Sequence, residues 1–269
     1  MNNPTLWNQI LVWPILNILV AFYKVFEFLH IPGPLGFAII LMTIAIRIVL
    51  YPLMHAQLKS ARKMQKLKPH LDALAIKHKN DKQTLSQAQM ALYKEHGVNP
   101  AAGCLPLLIQ MPVLIALYSV FNQVLSTNLV SVVKEINQVL YSPLLKLGSI
   151  DPTFLGVNLG IHPGQWQTHG VWLLSIPLIT AGLQWYQSKL MVPSSPSVAL
   201  VAEDATNGKK KTDEKKPEDT AMEMQKQMML ITPLMFGFFA LQFPLGLSLY
   251  WNIFSVFGII QQLQVNKQN

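Results

Sequence analysis

The stretch Gly36-Phe-Ala-Ile-Ile-Leu-Met-Thr-Ile-Ala-Ile-Arg-Ile-Val-Leu-Tyr-Pro-Leu53 decides the fold. With Leu35 and Met54 it makes 20 residues carrying one charge, Arg47. A helix rises about 1.5 Å per residue, so this length crosses a hydrocarbon core roughly 30 Å thick. The whole chain agrees. Of its 269 residues 51% are hydrophobic and 13% charged, against about 25% charged in soluble domains. The excess of 21 Lys+Arg over 13 Asp+Glu suits anionic headgroups or nucleic acid. One cysteine, Cys104, excludes an intrachain disulfide. Met1–Trp7 lacks a basic residue and no small-residue cleavage site follows, so the start does not read as a cleavable signal.

Working outward, residues 1–34 hold the apolar run Leu6–Leu29, interrupted by Pro14, Asn17, Lys24 and Glu27. Asn17, Lys24 and Glu27 share roughly one helical face, which fits a helix lying in the interface; a first span is the open alternative. Residues 35–54 form the first firm span. Residues 55–100 change character, with nine Lys/Arg, three acids and apolar residues at helical spacing through 98. They read as a soluble helical hairpin, turning at Lys79-Asn80-Asp81-Lys82. Further spans are expected at 103–125, 171–190, 229–243 and 245–265, the last two broken at Pro244-Leu245-Gly246. Residues 126–170 form a weakly charged outer loop with one amphipathic helix near 129–147. Residues 191–228 form a low-complexity linker, expected to be disordered, and 266–269 a short tail.

Lys/Arg counts orient the chain. The segment 55–98 has nine and 191–228 has six, whereas 126–170 has two and 244–246 none. The hairpin, the linker and the C-terminus therefore fall in the cytoplasm. The expected fold is all-α and integral to the membrane.

Arg47 carries the most chemistry. Arginine does not deprotonate in proteins, and placing it at membrane depth is costly. One reading is an arginine that snorkels to the headgroups; the other is an arginine facing a wet cavity. Thr43 lies one turn earlier on the same face. Gln110, Ser248, Tyr250 and Asn252 add polar groups at membrane depth, and no acid occurs inside a firm span to pair with Arg47. An unpaired positive charge in a cavity is a place to receive something negative.

Catalytic readings fare badly. No GxSxG, HExxH or Gly-rich phosphate loop occurs. The seven histidines are dispersed, so neither a metal nor a cofactor is expected, and Cys104 reads as packing. The basic face of the hairpin (Lys59, Arg62, Lys63, Lys66 and Lys68) either fixes topology or docks an acidic partner, such as ribosomal RNA phosphates or anionic lipid. Lys209–Lys211 and Lys215–Lys216 read as solvated linker. Met222, Met224, Met228 and Met229 could offer an adaptable contact surface, lining the membrane boundary being the blander reading. A small transporter or channel with Arg47 in its path is the alternative function. No internal repeat supports it, and the number of firm spans is odd.

The stretch quoted above resembles the first core span of the YidC/Oxa family of membrane insertases. So do Met90-Ala-Leu-Tyr-Lys-Glu-His-Gly-Val-Asn-Pro100 leading into Gly103-Cys-Leu-Pro-Leu-Leu-Ile-Gln-Met-Pro112, and Phe243-Pro-Leu-Gly-Leu-Ser-Leu-Tyr-Trp-Asn252. The pattern is similar to the bacterial type. The resemblance implies five core helices around a hydrophilic groove, closed to the outside and open to cytoplasm and lipid. Arg47 matches the groove arginine, with Thr43, Gln110, Tyr250, Trp251 and Asn252 at or beside groove-lining positions. It further implies a cytoplasmic hairpin needed for activity and an amphipathic helix before the first core span. The setting would be a bacterial inner membrane, with nascent membrane proteins as substrates. The ribosome, the Sec translocon and lipids would be partners of a monomeric core. Three departures stand out: no large extracytoplasmic domain with its leading anchor, a longer 191–228 linker, and no basic C-terminal tail.

Overall fold

Apolar runs at helical period bury their backbone polar groups within the helix, the one economical solution at membrane depth. The chain is accordingly mostly helical. The computed structural model describes residues 3–78, 81–98, 105–125, 129–191 and 217–267. Among these, the side chains of Ala61, Gln65, Lys68, Lys82, Met191 and residues 105–109 and 217–229 lie outside the description. The linker lysines, Cys104 and the Asn99-Pro100 motif fall outside it too.

A π-helical turn, Asn8–Val12, leads into α1, Trp13–Phe28. Pro14 sits in the first turn of α1, where its missing N–H removes little. Gly33, at φ 75°, allows the reversal that starts α2, Pro34–Lys77. The first span and the first arm of the expected hairpin are therefore one helix of 44 residues. Pro52 and Pro69 lie inside it, each removing one backbone bond without breaking the helix. Asp81 caps α3, Lys82–Glu95, by accepting from the backbone N–H groups of Gln83 (3.1 Å) and Thr84 (3.0 Å). The arms of α2 and α3 pack near their ends, where His70 and His96 stack with ring centroids 6.3 Å apart.

α4, Leu105–Val124, precedes α5, Leu129–Val139, whose buried Val132, Val133, Ile136 and Val139 form one face. Two strands of two residues each follow, β1 Thr153–Phe154 and β2 Val157–Asn158, joined by Leu155 (φ 51°) and Gly156 (φ 82°). This antiparallel hairpin is an addition to the all-helical expectation. Two consecutive positive φ values match the hand of a tight hairpin turn, which helical periodicity does not announce. A short α6, Trp166–His169, leads to α7, Ser175–Met191. α8, Pro217–Gln242, and α9, Leu245–Lys267, complete the chain.

α9 lies against α2 on one side and α7 on the other, while α8 packs along α7. The core that sets these helices includes Leu16, Ile39, Leu117, Phe121, Leu173, Leu247 and Tyr250, all nearly fully buried. Phe154 of β1 packs on the start of α2. Its ring stands edge-on to Phe37 at 5.2 Å, and a Cβ at Gly36 would overlap it. The loop after β2 is strapped to the start of α9. Leu245 and Gly246 donate backbone N–H groups to the carbonyls of Ile161 and Leu159, each at 2.9 Å.

Large apolar side chains also face outward, including Val49 (76% exposed), Leu178 (72%) and Leu234 (71%). Scattered exposed apolar residues are ordinary, but whole outward faces of this kind need an apolar surrounding. Among the described residues, Asn8–Phe28 and Pro34–Met64 are long and apolar enough to cross a membrane.

Candidate functional site

Arg47 reaches the site because α2 presents Ile39, Thr43 and Arg47 along the face that meets α9, while Val49 turns outward. It is only 7% exposed. Its guanidinium donates to the backbone carbonyl of Phe254 and lies 3.4 Å from the centroid of the Phe254 ring, a cation–π position. Its Nε is buried with no partner. Among the described residues no carboxylate pairs with it, and the only ion pair is Lys24–Glu27, at 2.7 Å on α1.

Gly258 makes this seat possible. A Cβ there would stand 2.8 Å from Arg47 Nη2 and 2.9 Å from Gln187 Nε2. The glycine lets two long polar side chains from α2 and α7 approach the α9 backbone. Next along α9, Tyr250 is fully buried and stacks obliquely on Phe254 at 5.7 Å. Its hydroxyl accepts from the Gln110 side chain of α4 at 3.1 Å, leaving Gln110 Oε1 buried without a partner. Four helices thus contribute to one polar seam: Arg47, Gln110, Gln187 and Tyr250.

The remaining expected residues separate from this cluster. Thr43 is buried, but its hydroxyl turns back to the Ile39 carbonyl at 2.6 Å, the local bond open to threonine in helices. Ser248, Trp251 and Asn252 face α7 and α8. Asn252 Oδ1 accepts from the Thr180 hydroxyl at 2.8 Å, and Trp251 packs on Phe236 at 4.4 Å between centroids. Ser248 Oγ and Trp251 Nε1 are buried without partners and line a small cavity with Thr180, Phe239 and Phe243. The site has two polar patches on different sides of α9, not one ring of residues.

Among the described residues, the buried side-chain N and O atoms without partners belong to Arg47, Gln57, Gln110, Ser248 and Trp251. All lie on α2, α4 and α9. Buried polar groups are normally satisfied, so each unsatisfied one marks a place where water or a ligand's polar atoms belong.

The basic face of the arm also divides. Lys59, Lys63 and Lys66 are exposed and follow one helical stripe, whereas Lys68 lies on the same helix with its side chain outside the description. Arg62 does not join them. Its guanidinium donates to the Val265 carbonyl and the Asn266 side-chain oxygen at the end of α9. Sequence reasoning missed Gly258, Gln187 and Thr180. A glycine inside an apolar helix, unfavourable there by about 1 kcal/mol relative to alanine, was the available signal for a close approach. Among the described residues no three His, Cys, Asp or Glu side chains gather as a metal site.

The model of the 60Kd inner membrane protein family matches residues 26–269. Curated relatives are called membrane protein insertase YidC. The one from Pelobacter propionicus is 32% identical over 97% of this chain and 39% of its own length. Those from Geobacter sulfurreducens and Helicobacter pylori strain J99 are 30% and 31% identical, over 97% and 87% of this chain. The chain spans about two fifths of the length of the first of these relatives, 39% and 38% for the two best covered. With the family pattern matched across nearly the whole sequence, the chain belongs to the 60Kd inner membrane protein family.

Proposed function

We propose that the chain is a membrane protein insertase that moves client segments through a hydrophilic seam holding one positive charge. The observation that carries this reading is Arg47: nearly buried, with its Nε lacking any partner and with no carboxylate paired to it among the described residues. The names of the relatives point the same way.

In this reading the outer half of α2, α4, α7, the apolar half of α8 and α9 cross the membrane, and the α2–α3 arm projects into the cytoplasm. α1 lies along the outer interface. Asn17 bonds to the Val139 carbonyl (3.1 Å) and the Tyr141 N–H (2.7 Å), and two turns on, Tyr23 accepts from the Asp151 N–H (3.0 Å). The middle of α1 is thus tied to the outer segment at two points, which suits a helix lying flat beside it.

A client's polar, often acidic, outer segment enters the seam from the cytoplasm. Water and the amides of Gln110 and Gln187 lower the barrier to moving polar groups part-way across. Arg47 attracts the acidic segment strongly because the surround is poorly polarisable. Outward of Gln110, Leu117, Phe121 and Leu247 close the bundle with fully buried apolar side chains. The client's apolar helix then partitions along the outward apolar faces into lipid. Burial of apolar area, at about 25 cal/mol per Å2, drives the step without nucleotide. Nascent chains delivered by the ribosome are the natural clients, received by the exposed Lys59, Lys63 and Lys66, with the Sec translocon a further partner.

The test is reconstitution. Liposomes containing the purified protein should insert a single-span client with an acidic outer tail faster than empty liposomes, without passing small solutes. Solute flux without client insertion would instead identify a channel.

A further inference from the structure

Among the described residues, the arm formed by the end of α2 and α3 has a single polar tie to the membrane helices. Arg62 donates through Nη1 to the Val265 carbonyl and through Nη2 to Asn266 Oδ1. Val265 and Asn266 belong to the last turn of α9, where the final carbonyls have no partner within the helix. The same turn carries the negative end of the helix dipole, which favours a cation there. Arg62 therefore meets two acceptors and a favourable field at once. Among the described residues, no hydrogen bond or ion pair joins α2 beyond Arg62, or α3, to any other helix of the membrane bundle. The bonds made within the arm, such as those of Asp81 with Gln83 and Thr84, are local.

α2 and α9 run in the same direction, and two arginines of α2 fasten them at two levels. Arg47 holds the Phe254 carbonyl and Arg62 holds the Val265 carbonyl. Between these levels the α2–α9 contact is closed by the Gln261 amide on the Tyr51 carbonyl at 3.4 Å. Fifteen residues of helix separate the arginines, about 22 Å, so the lower clasp lies at the end of α9.

We propose that Arg62 is a positioning residue, a latch that seats the cytoplasmic arm on the C-terminal turn of α9 and fixes its angle to the seam. Its charge serves this internal contact, and the face offered to partners is the stripe Lys59, Lys63 and Lys66. A rigid arm would present arriving clients to the seam in one orientation; a released arm would sample many. The latch concerns the shape of the molecule and stands apart from the insertase reading.

The experiment uses the full chain in lipid nanodiscs, with Cys104→Ser as the parent. Spin labels at Ala91→Cys, exposed on α3, and Lys189→Cys, exposed in the last turn of α7, report the arm-to-core distance. The parent should give one narrow distance distribution. Arg62→Ala should give a distribution about twice as wide or wider, since the arm loses its one polar tie. Arg62→Lys, which keeps one donor for the Val265 carbonyl, should restore most of the narrow population. Asn266→Ala should broaden it less than Arg62→Ala. Helicity by circular dichroism, equal in all variants, separates release of the arm from unfolding of it. A parent that is already broad, or an Arg62→Ala distribution that superimposes on the parent's, overturns the latch. So does an Arg62→Lys distribution as wide as that of Arg62→Ala.

Discussion

Arg47 and Arg62 sit on the same helix 15 residues apart, and both donate to backbone carbonyls of α9. Their surroundings differ. Arg47 is 7% exposed, lies on an aromatic ring and leaves its own Nε buried without a partner. Arg62 is half-buried and caps a helix end that wants a cation. The same residue type is thus a held but incompletely satisfied charge in one place and a structural cap in the other. What separates them is how completely the acceptors around each have been matched.

The sharpest way to break this comparison is to move Arg47 without deleting it. Gly258→Leu places a side chain where Arg47 Nη2 and Gln187 Nε2 now sit, under 3 Å from the new Cβ. The guanidinium must leave its seat, and client insertion should fall about tenfold, the rate equivalent of roughly 1.4 kcal/mol. Gly258→Ala should lower it several-fold less. Insertion assays on both variants, with helicity checked, decide the point; full activity in Gly258→Leu would show that the seat of Arg47 is irrelevant.

A smaller effect tests how well the neighbours of Arg47 are matched. Tyr250→Phe removes the acceptor of the Gln110 amide and leaves a further buried donor unsatisfied. It should destabilise the fold by about 1–3 kcal/mol. Gln110→Leu removes the buried orphan oxygen as well and should cost less, or even stabilise, while slowing insertion. Unfolding midpoints compared with insertion rates for the two variants would expose the trade. Equal stability losses would contradict the unsatisfied state of Gln110.

The smallest effect lies at the tip of the arm. The Thr84 hydroxyl, and then the Thr84 and Gln83 N–H groups, hold the Asp81 carboxyl below its ordinary value of 3.8. A depressed folded pKa contributes stability that is fully present above 3.8 and lost as pH falls through the lower folded value. Hydrogen exchange at the start of α3 should therefore quicken only in that acid window, and at neutral pH in Asp81→Ala. Exchange that is unchanged in Asp81→Ala would remove the cap from the account.

The helical period of the quoted stretch and the lone charge within it were readable from sequence, because membrane depth leaves few ways to satisfy a backbone. Asp81 was read only as part of a turn, although the cap it places on α3 is local chemistry. Direction around a helix was harder. Ser248, Trp251 and Asn252 lie within one turn of Tyr250, yet they face α7 and α8 while Tyr250 faces Gln110, because helix crossing decides which side meets which neighbour. Both arginines donate to main-chain carbonyls, those of Phe254 and Val265, which no residue identity can announce. Gly258 was visible only as an unfavourable residue in an apolar helix. The continuity of α2 through Pro52 was hidden by the usual reading of proline as an ending, although one missing N–H is a loss that a long packed helix tolerates.

The most direct test of the central claim crosses the charge of the seam with the charge of the client. Wild type, Arg47→Ala and Arg47→Lys would be compared in liposomes, using two single-span clients that differ only in an acidic or a neutral outer tail. The account predicts that Arg47→Ala slows the acidic client by about tenfold or more, the scale of one lost charge-assisted contact of about 1.5–3 kcal/mol. The neutral client should slow far less, and Arg47→Lys should keep most of the difference between clients. Equal slowing of both clients, or no slowing of either, would contradict a seam that works through its positive charge.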